Sequence, residues 1–176
     1  MPEQVIGSKI VHRGGYLKLA VLDVETAQGH IVQRDMVQHP GAVAVIALDE
    51  DNNVLLIRQF RPGANKILIE IPAGTLEAGE DIESCAVREM QEETGYRPNH
   101  MEYLGGWYVA PGYTTEYLHL YLARDLTESR LPADADENIE IFWLPLADAL
   151  QQIVTGEICN STALIGLMRV ARHLAT

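Results

Sequence analysis

The chain has 176 residues, of which 47% are hydrophobic and 22% charged, enough for one well-packed domain or one domain with a short appendage but not for two independent domains. The formal charge of −12 argues against non-specific nucleic-acid binding, because Lys and Arg are too few to replace the counterions of phosphates. The sequence shows no apolar run long enough to span a membrane and no secretory signal pattern, so we expect a cytoplasmic protein.

The first part of the chain has the short alternations and apolar runs that predict strands. We predict strands at residues 4–11, 17–26, 30–38, 42–48, 54–58 and 66–71. The first three predict a small antiparallel sheet. The turn-forming residues Asp51-Asn52-Asn53 predict that the fourth and fifth strands form a hairpin. A loop is predicted from Pro72-Ala73-Gly74 onward.

The second part of the chain predicts helices alternating with strands. The strongest helix covers residues 81–94, with acidic residues in its first turn and Gly95 placed to end it. Further strands are predicted at 101–109, 117–123 and 139–144, and two helices at 146–155 and 161–174. Cys85 and Cys159 belong to no metal-binding pattern, and both are expected to be small buried residues.

The helix predicted at 81–94 carries a dense group of charges. Ile82, Ala86 and Met90 are spaced four residues apart, with Cys85 beside them, and predict a buried stripe. The carboxylates of Glu89, Glu92 and Glu93 fall elsewhere on the helix and can converge, where their repulsion calls for a positive charge. Arg88 could supply it in a salt-bridged surface helix. Alternatively, the oxygen atoms suit Mg²⁺ or Mn²⁺ that also binds substrate phosphates.

The segment from Gly74 to Tyr96 resembles the Nudix box, G-x5-E-x7-R-E-U-x-E-E-x-G-U with U bulky and apolar, at every defined position. The resemblance implies an α/β fold, an α/β/α sandwich with a mixed sheet. It also implies a metal site formed by Glu89, Glu92, Glu93 and the main-chain carbonyl of Ala73. Arg88 and Glu80 would brace the loop and helix, and Arg88 and Glu92 would belong to the catalytic machinery.

Residues outside the box narrow the resemblance. Arg58-Gln59-Phe60-Arg61-Pro62, Glu70-Ile71-Pro72-Ala73-Gly74 and a proline sixteen residues after Gly95 are similar to the pattern of ADP-ribose pyrophosphatases. This implies substrate binding by Arg58, Arg61 and Glu70. Guanidinium groups can fork onto phosphate or stack on a base. The alternative is ion pairing at strand ends, with Glu70 as the partner of an arginine.

The resemblance implies a catalytic carboxylate outside the helix, and Glu116 occupies the corresponding position after the Pro111-Gly112 loop. Such a group would deprotonate water for attack on phosphorus. Asp136, Glu137 and Glu140, in a second acidic segment, compete for this role. We rank Glu116 first.

Residues 1–38 are too short to form a stable domain alone. By resemblance they form an N-terminal antiparallel sheet exchanged between subunits of a homodimer, and residues 39–176 form the Nudix domain.

The predicted activity is hydrolysis of ADP-ribose to AMP and ribose 5-phosphate with Mg²⁺ or Mn²⁺. The alternatives are hydrolysis of another nucleoside diphosphate sugar, such as ADP-glucose or GDP-mannose, and a non-catalytic module that binds nucleotide sugars. The complete set of box carboxylates favours the enzyme over the binding module.

Overall fold

A computed structural model describes residues 2–132 and 138–176. The strands are β1 (Gln4–Arg13), β2 (Lys18–Glu25), β3 (Ile31–Gln38), β4 (Ala42–Ala47), β5 (Asn53–Arg61), β6 (Lys66–Glu70), β7 (Ala73–Thr75), β8 (Tyr96–Tyr108), β9 (Tyr117–Glu128) and β10 (Glu140–Pro145). The helices are α1 (Ile82–Glu89), continued by a π-helical turn (Met90–Thr94), then α2 (Leu146–Thr155) and α3 (Ser161–Leu174).

The chain divides into two compact units, and the smaller unit contains residues 1–41 and 107–118. Its strands form the antiparallel sheet β1-β2-β3, as the alternation in this part of the sequence predicts. Within the unit, the 107–118 loop is joined to β3: the Val37 N–H donates to the Tyr113 carbonyl at 2.8 Å, and the Thr115 N–H donates to the Val37 carbonyl at 2.9 Å.

The larger unit contains residues 42–106 and 119–176. Two sheets run through it, with strand orders β7-β4-β9-β8 and β10-β5-β6. All six residues of β4 are buried, as expected for a strand covered on both faces. Its core cluster joins β4 residues Val43 and Val45 to Cys85, Ala86 and Met90 of the α1 region. The predicted buried stripe of the helix is therefore confirmed.

Two local predictions about the strands are wrong. The strands β4 and β5 do not form a hairpin, because they belong to different sheets and are linked by a single antiparallel bridge between Leu48 and Val54. Both are rich in buried residues, and each is an inner strand of its own sheet. The loop predicted from Pro72 contains a short strand, β7, which pairs with β4 from Ala42 to Ala44.

The helix predicted over residues 81–94 is α-helical only as far as Glu89. Asp81 is its N-cap, with Oδ2 accepting the Ser84 N–H at 3.0 Å. The π-helical turn follows without a break and ends at Gly95, whose φ of 78° is left-handed. Because a π-helical turn holds more residues than an α-helical turn, the α-helical spacing applies only approximately after Glu89.

Two further findings concern burial and membrane insertion. Cys85 is buried as expected, but the expectation for Cys159 is wrong because its side chain is exposed. In the described part of the chain, no helix is long and apolar enough to cross a membrane.

Candidate active site

The site is organised around Arg88 of α1, whose side chain is 23% exposed. Its Nε and Nη2 donate to the two carboxylate oxygens of Glu80 at 2.8 and 3.0 Å. Its Nη1 lies 2.7 Å from Oε1 of Glu89 and 2.8 Å from Oε2 of Glu92. One guanidinium therefore joins the loop before the helix to two carboxylates on it, as the bracing role of Arg88 and Glu80 requires.

Hydrogen bonds between Arg88 and Glu80 explain the shifted pKa values of these two side chains. The hydrogen bonds from Arg88 are the largest cause that lowers the pKa of Glu80 from 4.5 to about 2. The same contact with Glu80 is the largest cause that raises the pKa of Arg88. Burial is the main reason that the pKa of the Cys85 thiol rises to about 12, so Cys85 stays protonated and serves as a packing residue.

Glu93 lies on the buried side of the π-helical turn and is 5% exposed. Its Oε2 accepts a hydrogen bond from the Ala73 N–H at 3.0 Å. The expectation that Glu93 falls away from the buried stripe is therefore wrong, because position 93, three residues after Met90 and seven after Ala86, lies on the same helical face as that stripe. The contact links two residues, Glu93 and Ala73, that the resemblance assigns to one metal site.

Gly74 is a glycine because Glu89 occupies the space where a side chain would be. A Cβ at position 74 would lie 1.8 Å from Cδ of Glu89 and 2.0 and 2.2 Å from its carboxylate oxygens. These separations are far below van der Waals contact. The Gly74 main chain therefore lies against the Glu89 carboxylate.

The C-terminal end of the π-helical turn is held by residues 129–131, which the sequence did not indicate as part of the site. The Ser129 N–H donates to the Gly95 carbonyl at 2.8 Å, and the Gln91 side chain donates to Oγ of Ser129 at 2.9 Å. Arg130 donates to the Thr94 carbonyl at 3.3 Å. The Ser129 N–H and Arg130 thus satisfy two carbonyl groups at the end of the turn, where a helix leaves carbonyls unpaired.

Arg61 and Glu70 form the second part of the site. Nε of Arg61 lies 3.1 Å from each carboxylate oxygen of Glu70, and Nη2 lies 2.6 Å from Oε2. Glu70 is 3% exposed, whereas the Arg61 side chain is 40% exposed. The ion pair foreseen as an alternative is present. It places Glu70 behind the arginine, while Arg61 reaches a surface cleft of about 500 Å³.

Arg58 lines the same cleft and has partners on β10. Nη1 lies 2.8 Å from Oε1 of Glu140, and the guanidinium carbon lies 4.0 Å from the centre of the Phe142 ring. The second acidic segment therefore supplies Glu140 as a partner of Arg58. Asp136 and Glu137, the other candidates from that segment, lie outside the described residues.

Glu116 belongs to the smaller unit and is half-buried. Its main chain is fixed on both sides: its N–H donates to Oγ1 of Thr114 at 3.1 Å, and its carbonyl accepts the Val109 N–H at 3.1 Å. The side chain thus leaves a well-anchored loop, as a positioned carboxylate requires. Its catalytic role stays a prediction.

The α1 region has the oxygen donors that a hard divalent cation prefers: the carboxylates of Glu89, Glu92 and Glu93 beside the main chain at Ala73. Among residues 2–132 and 138–176, no three His, Cys, Asp or Glu side chains are arranged to hold a metal ion. In this structure the Arg88 guanidinium lies between the carboxylates of Glu89 and Glu92. These two carboxylates therefore already stabilise one positive charge. The donor chemistry fits a divalent cation, and the metal assignment stays a prediction.

Comparison with known proteins identifies the class. The family model of the NUDIX domain matches residues 38–159, more than half of the chain, and the chain therefore belongs to this family. It is 40% identical over 167 residues to a methanol dehydrogenase activator of Bacillus methanolicus, covering 94% of this chain and 90% of that protein. It is 36% identical over 163 residues to an ADP-ribose pyrophosphatase of Bacillus subtilis (strain 168), covering 92% and 88%.

A solved structure described as an ADP compounds hydrolase superposes with a TM-score of 0.86 over 99% of this chain and 95% of that chain. Its sequence identity is 22%, so the likeness shows the fold. Together, these comparisons confirm the predicted family, the α/β fold class and the prediction of a Nudix diphosphatase.

Proposed function

We propose that this chain hydrolyses the diphosphate linkage of ADP-ribose, giving AMP and ribose 5-phosphate, with Mg²⁺ or Mn²⁺ as the cofactor. One observation carries the proposal: the segment from Glu70 to Ala73 connects Arg61 to Glu93, one of the carboxylates of the α1 region. At its start Glu70 holds Arg61, and at its end Ala73 binds Glu93. Three peptide units span at most about 11 Å, so the two contacts are close enough along the chain for one diphosphate group and its metal to lie between them.

The chemistry can be divided among the residues of the chain. Glu89, Glu92, Glu93 and the carbonyl of Ala73 would hold the cation, which when bound supplies a Lewis acid to the diphosphate oxygens. Arg61 forms charge-assisted hydrogen bonds to a phosphate. Glu116 accepts the proton of the attacking water. The new bond joins the water oxygen to phosphorus, the anhydride P–O bond breaks in line, and the leaving phosphate takes the electron pair.

The same site is compatible with two alternative functions. Another nucleoside diphosphate sugar, ADP-glucose or GDP-mannose, shares the diphosphate on which the argument rests. A module that only binds nucleotide sugars would not need the complete set of box carboxylates. Their presence in this chain supports the enzyme.

The deciding experiment is an assay of the purified chain with ADP-ribose, ADP-glucose and GDP-mannose, in Mg²⁺, in Mn²⁺ and in excess EDTA. Chromatography of the products shows whether AMP and ribose 5-phosphate form in equal amounts. We expect the largest kcat/KM for ADP-ribose and loss of turnover in EDTA. Binding without turnover of any of the three would favour the binding module, and a preference for GDP-mannose would move the substrate to the alternative.

We also propose that the chain forms a homodimer. Residues 1–38 would form an N-terminal sheet that is exchanged between the two subunits, and residues 39–176 would form the Nudix domain. Apolar side chains left exposed on β1 and β3 support this, among them Val5, Val11 and Ile31, each at least half exposed. Such side chains favour burial against another chain. Light scattering of the native chain and of Val11→Asp should show a dimer and a weakened dimer; a monomer in both would contradict it. Cytoplasmic location stays a prediction.

A further inference from the structure

The carboxylate of Glu70 is buried and needs more than one partner. It is 3% exposed, and an ionised group at such a position is costly unless hydrogen bonds satisfy its oxygens. Arg61 supplies two donor nitrogens. Asn160 supplies another donor: its Nδ2 lies 3.0 Å from Oε1 of Glu70.

Asn160 is also the N-cap of α3, where its Oδ1 accepts the Ala163 N–H at 3.1 Å. The two contacts fix the orientation of the amide, because only the oxygen can accept from a main-chain N–H and only the nitrogen can donate to a carboxylate. A reversed amide would lose both hydrogen bonds. The start of α3 and the counterion of Arg61 are therefore held by one side chain.

We propose that Asn160 is a positioning residue for the diphosphate substrate. By fixing Oε1 of Glu70, it holds the carboxylate in the orientation that receives Nε and Nη2 of Arg61. The exposed part of Arg61 is thereby presented to the cleft with little freedom to reorient, and a pre-organised guanidinium loses less entropy when it binds phosphate. This inference rests on the proposed function, in which Arg61 binds the substrate.

Two substitutions separate positioning from capping. Ser and Asp are both good N-caps, so Asn160→Ser and Asn160→Asp keep the start of α3. Ser is too short to replace the amide donor, whereas Asp places a carboxylate oxygen about where Nδ2 was, facing Glu70. We expect KM for ADP-ribose to rise about threefold for Asn160→Ser and at least about tenfold for Asn160→Asp, with kcat within about twofold of wild type. Unchanged KM in both variants would overturn the inference.

The control for a purely structural effect is Met168→Gly. Met168 is exposed on the same helix, and glycine there weakens the helix without touching Glu70. We expect a lower Tm with unchanged KM. A rise in KM equal to that of Asn160→Ser would show that loss of helix stability is sufficient, and would overturn a specific role for Asn160.

A double-mutant cycle tests whether Asn160 acts through Arg61. In an Arg61→Ala background, Asn160→Ser should not raise KM further. The Kd of ADP-ribose, measured by calorimetry in EDTA where no turnover occurs, should follow the same pattern. An equal rise in both backgrounds would overturn the inference while leaving the proposed function intact. Absence of turnover and binding for every nucleotide sugar would overturn both.

Discussion

Substitution of Gly74 by Ala should disable the site without removing any of its charged groups. The new Cβ would fall 1.8 Å from Cδ of Glu89 and 2.0 to 2.2 Å from its oxygens, whereas non-bonded carbons approach to about 3.5 Å. Either Glu89 or the β7 main chain must therefore move by about 1.5 Å. Because β7 is hydrogen-bonded to β4, we expect Glu89 to move.

The size of the effect follows from that displacement. A misplacement of about 1 Å in a catalytic geometry can cost about 100-fold in rate. We expect Gly74→Ala to lower kcat/KM at least about 100-fold and to weaken Mn²⁺ binding measured by electron paramagnetic resonance. Overpacking of this kind costs about 1 to 3 kcal/mol of stability, so the fold should survive, because the core face of α1 is untouched. Circular dichroism melts check this.

Two companion variants make the result specific. Gly15→Ala is the matched control, since a Cβ there meets nothing within 4 Å and activity should stay at the wild-type level. Adding Glu89→Asp to Gly74→Ala withdraws the carboxylate by one methylene, so the double variant should be less impaired than independent effects predict. Wild-type activity and Mn²⁺ affinity in Gly74→Ala would refute the reasoning.

Three other substitutions test separate parts of the site. Glu93→Gln should abolish most activity and weaken Mn²⁺ binding while the chain stays folded, because the amide oxygen can still accept the Ala73 N–H; nearly normal Mn²⁺ binding would remove Glu93 from the metal site. Glu116→Gln should lower kcat more than it raises KM, and a defect confined to KM would move the proton acceptor to the second acidic segment. Glu80→Gln should lower Tm at pH 7. The pKa of Glu80 is depressed to about 2, so its contribution is present above pH 4.5 and lost as the pH falls toward 2; a Tm difference that persists at pH 2 would contradict this.

The sequence predicted most of the elements and the part of the site that depends on local spacing. The stripe of Ala86 and Met90 and the joining of Arg88 to Glu80 both follow from separations of a few residues. Such contacts are set by helix geometry or by the loop that the resemblance describes.

The features that the sequence did not predict depend on contacts between distant segments. The Glu93 carboxylate is held inward by the Ala73 N–H, which lies 20 positions earlier in the sequence. Asn160 could be recognised as a helix cap. Its contact with Glu70 joins residues 90 positions apart, and depends on how α3 packs beside β6.

The failed hairpin has a similar origin. A turn sequence between two apolar runs favours local pairing, and Asp49 and Asn53 do form a turn, with the Asn53 N–H donating to Oδ1 of Asp49 at 2.7 Å. Burial on both faces leads β4 and β5 into separate sheets instead. The predicted turn is therefore present. The strands with which β4 and β5 pair depend instead on packing in the core.

The left-handed backbone of Gly95 and the nearby side chain of Arg130 restrict which residues position 95 can accept during evolution. Position 95 has a φ of 78°, and a Cβ there would lie 2.8 Å from Nη2 of Arg130. Asn, which tolerates left-handed backbone, would satisfy the conformation but collide with the guanidinium. A substitution of Gly95 should therefore be accompanied by a residue shorter than Arg at position 130. In an alignment of homologous sequences, we expect covariation between positions 95 and 130, although only position 95 belongs to the Nudix box.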